Sequence, residues 1–211
     1  MRPTHDLLVI GDLVKAKALQ ITNGHEVGKL SYGTGPIPFI RTSDLANWEL
    51  KIDPKQGVSE EIWSDYAPRQ DVQAGDILMV RDGTYLIGTC AMLTEQDTRM
   101  VFQSHLNKLR VLKAEVIDSY LLLAVLNSPI VKRQVRAKQF TQDIIDTLGL
   151  RLLELVLPVP KDPIVCQEIS DQTRRIVDTR AELRRQAHEV GLLVMGDRKK
   201  AEEQEALAEI I

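Results

Sequence analysis

Four cationic side chains stand within one short stretch of this sequence, Lys132, Arg133, Arg136 and Lys138, with Lys108, Arg110 and Lys113 shortly before them. Such a cluster can hold phosphate groups through charge and N–H donors, because the field at a patch decides contact even where the whole chain is acidic. A solvated helix face carries the same pattern. The charges alone therefore leave both readings open.

Other chemistry is poorly supplied. A zinc site needs clustered Cys and His, whereas Cys90 and Cys166 are distant and the four His are scattered. Cys90 sits in an apolar run and reads as a small core residue rather than a nucleophile. His105, in Gln103-Ser-His, is the most plausible functional histidine, with a structural role equally open. Glu49-Leu-Lys51 has the Glu-x-Lys form of many metal-dependent nucleases, but Asp44 lies too close in sequence for the hairpin that converges two carboxylates on one metal. Asn127-Ser-Pro-Ile resembles the Asn-Pro-Pro-Tyr motif of amino-methyltransferases only superficially, since Ile130 supplies no aromatic face to stack a base. Gly33-Thr-Gly35-Pro has neither the Gly-Lys-Ser/Thr ending of a phosphate loop nor a following helix, with Pro36 and Pro38 against it. The chain reads as non-catalytic.

These side chains are carried by 211 residues, 44% of them apolar and 27% charged, with a net charge of −3. That is enough for one domain with a real core plus an appendage. No apolar run reaches the roughly 20 residues needed to cross a bilayer, the N-terminus lacks a signal-peptide pattern, and two distant cysteines suit a reducing cytoplasm. The charge is uneven: residues 1–98 carry −5, residues 99–151 carry +5 and residues 152–211 carry −3. Residues 7–14 read as a short strand or turn that opens the fold, and apolar segments predict strands at 48–54 and 77–81, with a partner after an Asp82-Gly turn. The spacing predicts helices near 59–66 (Ser59 as N-cap), 117–127 and 130–139, the last opened by Ser128 and Pro129. Residues 139–149 read as a loop and one short helix stopped by Gly149. Leu152–Leu157 reads as a strand ended by Pro158 and Pro160. A long helix follows Pro163 to about Val190, broken by Gly191 and Gly196. Ile169, Ile176, Leu183 and Val190 recur every seven residues in it, with Thr173, Arg180 and Ala187 as polar or small companions. Packing on the chain's own body and pairing with another helix both suit this half-polar seam.

Four segments then occur in a telling order: Ile37-Pro-Phe-Ile-Arg-Thr-Ser-Asp-Leu, Gly75-Asp-Ile-Leu-Met-Val-Arg-Asp-Gly-Thr, Gln139-Phe-Thr-Gln-Asp-Ile-Ile-Asp-Thr-Leu, and Val156-Leu-Pro-Val-Pro with Gln167-Glu-Ile beyond. The series resembles a target recognition domain of type I restriction–modification specificity (S) subunits, and of related domains that accompany N6-adenine DNA methyltransferases. The resemblance spans about residues 7–190. It implies a mixed α/β (α+β) fold: a twisted β-rich recognition domain over 1–160, a long helix over 161–195 for spacing, partner docking or dimerisation, and a charged tail over 196–211. It also implies a cytoplasmic, non-catalytic subunit for phage defence that reads one half of a bipartite double-stranded DNA site. Its partners would be a methyltransferase subunit, which would hold S-adenosylmethionine, and a restriction or translocase subunit. A complete S subunit has two such domains and two helices. This sequence has one of each, so a half-subunit that forms a homodimer through its helix is one expectation. A protein–protein adaptor without DNA specificity is the alternative.

Reading DNA needs cations for phosphates and hydrogen-bonding groups for base edges. Lys108, Lys132, Arg133, Arg136 and Lys138 are the candidates for the first role. Arg41, Thr42, Ser43, Arg81, Thr84, Tyr85, Gln103, Ser104, His105, Gln139, Thr141 and Gln142 are the loop-borne candidates for base or backbone contacts, and Asp82 shares their loop. Ile169, Ile176, Leu183 and Val190 are the candidate partner-binding residues.

Overall fold

The computed structural model describes residues 4–46, 48–83, 85–142 and 145–196. Its elements run β1 (His5–Val9), α1 (Ile10–Lys15), β2 (Leu19–Asn23), β3 (Ile37–Ile40), β4 (Gly57–Val58), α2 (Glu60–Gln70), β5 (Ile77–Val80), β6 (Asp82–Gly83), β7 (Cys90–Met92), β8 (Val101–Phe102), β9 (Leu106–Val111), α3 (Ser119–Leu126), α4 (Pro129–Lys138), β10 (Phe140–Gln142), β11 (Ile145–Thr147), β12 (Val156–Pro160) and α5 (Pro163–Val194). The fold is mixed α/β with a long C-terminal helix.

The central sheet has the antiparallel order β2-β9-β5-β7. β5 is an unbroken apolar run, Ile77-Leu-Met-Val80, because it is buried on both faces. Its two-residue period divides those faces. Ile77 and Met79 join one core with Leu109, Leu122 and Leu126 of β9 and α3. Leu78 and Val80 join a second with Ile40, Phe102 and Leu106. A small sheet, β4-β3-β8, pairs β3 with β8 in parallel and builds a third cluster under α2.

Two long-range closures complete the body. β1 pairs along its whole length with β12, so the N-terminus is tied to the strand that feeds α5. Pro158 and Pro160 lie inside β12 rather than ending it. A two-stranded ribbon tolerates prolines because their missing N–H groups need no ladder partner there. The second closure is Gln70, 2% exposed, whose amide donates to Phe102 O at 2.7 Å and accepts from Phe102 N at 2.9 Å, as a neighbouring strand would.

α2 and α4 begin where their cap residues placed them, and α3 lies within the span its apolar spacing marked, capped by Asp118. Ser59 Oγ accepts from Ile62 N, Asp118 from Tyr120 N and Leu121 N, and Ser128 Oγ from Val131 N. Other expectations are corrected: residues 10–15 of the opening segment are helix α1, and the expected strand at 48–54 is reduced to isolated bridges at Trp48 and Leu50. Phe140–Gln142 and Ile145–Thr147 form strands β10 and β11 rather than a helix, because β11 finds β6 as its partner. Asp82-Gly is that strand and not a two-residue turn, so β5 reaches its antiparallel partner β7 only after a longer excursion. Gly191 lies within α5, which runs on to Val194 before Gly196 adopts φ +77°. One glycine costs about 1 kcal/mol relative to alanine, too little to stop a long helix.

Asp162 caps α5 at Ile164 N, with Pro163 in the first turn. Ser170, Thr173 and Val177 are its buried face, against α3 and β12, and Ser170 Oγ donates to Asp118 at 2.6 Å. Further along, Arg180 bridges to Glu49 and Arg184 makes a two-pronged pair with Asp97. Among the described residues, no helix is long and apolar enough to cross a membrane.

Candidate nucleic-acid interface

The strand directions gather several loops at one edge. β3 and β8 run parallel, so Arg41 and Gln103 leave it side by side, with Gln103 N donating to Ile40 O at 2.9 Å. Val80 stands opposite Leu106, and Asn23 opposite Asn107, so β5 and β2 end where β9 begins. Gly24 N donates to Leu106 O and His25 N to Phe102 O, which fixes the β2 exit against the 102–106 loop. A Cβ on Gly24 would lie 2.1 Å from Gln103 O, so only glycine fits that approach.

A carboxylate with several hydrogen-bond partners lies at this edge. Asp82, 6% exposed, accepts from Arg81 Nε at 2.8 Å and Arg81 Nη2 at 2.7 Å. His105 Nδ1 stands 3.1 Å from the same oxygen, and Thr147 Oγ1 donates to the other. Burial pushes the Asp82 pKa up, but the bonds from Arg81, Thr147 and His105 outweigh it and hold the group below its ordinary 3.8. Three elements distant in sequence, the β5–β6 link, the β8–β9 loop and β11, thus meet on one charge. Beside it lies a groove of about 690 Å³ lined by Ile21, Asn23, Arg81, Asn107, Thr147 and Leu150, among others. Asn107 Oδ1 is buried there with no hydrogen-bond partner among the described residues.

The remaining sequence candidates divide. Arg133 and Arg136 are exposed on α4, whose opposite face buries Val131 and Val135, so they form a solvated cationic face. Lys132 is half-buried, and Lys138 is half-buried and paired with Glu154 at 2.7 Å. Gly88 rests on the Val135 side chain, so the 85–89 segment with exposed Tyr85 (94%) adjoins α4. Gln139 caps α4 and leads into Thr141 and Gln142 of β10. Ser43 is exposed beside half-buried Thr42, while Arg41 lies over the Tyr32 ring at 5.8 Å. Ser104 is tied to Glu26 at 2.5 Å. Thr84 lies outside the described residues.

Lys108 and Gln103 are corrections. Lys108, 2% exposed, points its ammonium at Gln70 O (2.6 Å) and Asp71 O (2.5 Å) and pairs with Asp76 at 3.5 Å. It caps the C-terminus of α2 and is closed to a phosphate. The two-residue period of β9 turns it inward, a register that composition does not reveal. Gln103 is 8% exposed and belongs to the interior. Asn23, Asn107 and Thr147 were missed; only their pairing partners bring them to this edge. Cys90 is fully buried, which pushes its thiol up to about 12.

No family model and no characterised protein sequence matches the chain. Among solved structures, the type I restriction–modification S subunit from M. genitalium superposes with a TM-score of 0.51 at 12% identity over 92% of this chain. The HsdS subunit from Thermoanaerobacter tengcongensis does so with 0.51 at 15% identity over 98%. This is the S-subunit fold. The chain spans 43% of the length of each of those two structures.

On α5 the heptad residues separate. Ile169 is half-buried against the chain's own core, whereas Ile176, Leu183 and Val190 are exposed by 43%, 58% and 60%. The seam therefore belongs to the body at its start and to solvent beyond. A groove of about 830 Å³ runs between α5 and residues 49–52, with Leu50, Ile52, Ile176 and Leu183 in its walls.

Proposed function

We propose that the chain is a sequence-specific DNA-recognition subunit of a type I-like restriction–modification or phage-defence methyltransferase complex, non-catalytic itself. The observation that carries this is the gathering of Arg41, Arg81 and His105 around the 102–106 loop, where Gln103 N donates to Ile40 O and Arg81 N to His105 O, with the buried face of α4 packed against Gly88. Shared fold with type I S subunits supports it. In this reading Arg133, Arg136 and Lys138 neutralise phosphates, and the edge loops with Gln139, Thr141 and Gln142 meet bases. S-adenosylmethionine is held by the methyltransferase partner. Two copies of the chain, paired through Ile176, Leu183 and Val190, which are exposed on α5, serve the two halves of a bipartite site.

The test is anisotropy with labelled duplexes across a salt series, for the free chain and for its complex with the neighbouring methyltransferase. Wild type binds with affinity falling log-linearly in salt, and Arg133→Glu with Arg136→Glu lowers that slope by roughly two. Unchanged binding and methylation in the double variant would favour the adaptor reading, in which α5 is the working surface.

A further inference from the structure

Arg81 is fixed in a way that a phosphate contact does not require. Its Nε and Nη2 both donate to one oxygen of Asp82, at 2.8 and 2.7 Å, so the side edge of the guanidinium is occupied. Asp82 is itself held by His105 and Thr147, leaving the carboxylate no freedom to turn. The guanidinium plane is thereby set by the fold, while the side chain keeps 24% of its surface exposed and borders the groove with Asn23 and Asn107. What remains is the end edge of the fork, formed by Nη1 and the second Nη2–H. Two parallel donors in a fixed plane match the adjacent O6 and N7 acceptors of guanine in the major groove. The charge argues the same way. Asp82 cancels most of the field of Arg81, which weakens attraction for an anionic phosphate but leaves directional donors for a neutral base edge.

We propose that Arg81, held side-on by Asp82, reads a guanine through its end edge, with Asp82 as the positioning residue. The inference rests on the DNA-recognition reading above. It is tested by selection from a randomised duplex library with the full chain at low salt, comparing wild type, Arg81→Lys and Asp82→Asn. Wild type enriches a motif containing guanine. Arg81→Lys loses a roughly 10- to 100-fold preference at one guanine and keeps the other positions. Asp82→Asn weakens that same preference with the salt slope unchanged, a pattern that general loosening of the fold does not give. Replacing that guanine by 7-deazaguanine lowers wild-type affinity and leaves Arg81→Lys indifferent, a comparison that decides the matter if Asp82→Asn fails to fold. A motif whose guanines all survive Arg81→Lys overturns this inference alone. Failure of wild type to enrich any motif overturns both readings.

Discussion

Replacing Lys108 by Met separates a structural cation from a DNA-binding one. The substitution keeps most of the apolar stem and removes the ammonium. In the folded chain that ammonium donates to two carbonyls at the end of α2, Gln70 O and Asp71 O, at 2.6 and 2.5 Å. Asp76 does not become an orphan, because Arg110 Nε and Nη2 remain on it at 2.7 and 2.8 Å and Gln73 N at 3.0 Å. The loss is therefore the two charge-assisted bonds, each worth about 1.5–3 kcal/mol, and relief of the cost of burying the ammonium places the net near the lower end, about 3 kcal/mol. For a chain of this size that lowers Tm by roughly 6–12 °C. The assay pairs a thermal melt with duplex binding over a salt series at a temperature where the variant is folded. The expected result is the lower Tm with an unchanged salt slope. A wild-type Tm together with a slope reduced by about one would refute the reasoning and return Lys108 to the phosphate-contacting set.

Three further outcomes follow from the same geometry. Gly24→Ala drives a methyl group into the Phe102 and Gln103 carbonyls, 2.4 and 2.1 Å from its position, and lowers stability by roughly 3 kcal/mol or more in a denaturant titration. Arg184→Leu leaves Asp97 (6% exposed) without its two-pronged partner, at about 3 kcal/mol for a broken buried pair, and hydrogen exchange rises over residues 178–194 before the body opens. Asp82 contributes to the acid limb of stability: its folded pKa lies below the ordinary 3.8, so its contribution is complete above that value and drains as pH falls through the folded one. Melts from about pH 5 to about pH 2 show a shallower acid loss in Asp82→Asn than in wild type.

How much of this was legible in the sequence depends on whether the deciding partner was near or far. α2 and α4 could be placed because their signals are local: Ser59 and Ser128 each accept from the backbone three residues on. The heptad of α5 was legible too, but not its division, since nothing in Ile169 differs in type from Ile176. What separates them is that apolar burial of α5 against the body ends at Val177, beyond which Arg180 and Arg184 make polar contacts, and Ile176 stands to the side. The 139–149 stretch failed for the opposite reason. Its strands are stabilised by β6, about sixty residues earlier, and an isolated hairpin of that length is marginal in water. Asp82-Gly failed with it, because a dipeptide good at turning is equally free to be a short strand when Thr147 and His105 supply partners.

The same distinction explains the acidic net charge. A count of cations treats Lys108 and Arg133 alike, yet one is 2% exposed and the other open to solvent, so the +5 block presents fewer positive groups than it contains. Arg110 is likewise committed to Asp76 and Asp71. Outward the block offers Arg133 and Arg136 of α4 together with Arg99, Lys113 and Arg151, while Arg81 is partly neutralised by Asp82. A surface so arranged has modest non-specific attraction for a polyanion and a comparatively large directional component. Discrimination between DNA sequences should therefore outlast affinity as salt is raised. Binding to cognate and scrambled duplexes, measured at low and at physiological salt, checks this through the ratio of the two affinities: it holds or grows if the charges lie as described, and it collapses if phosphate contacts dominate.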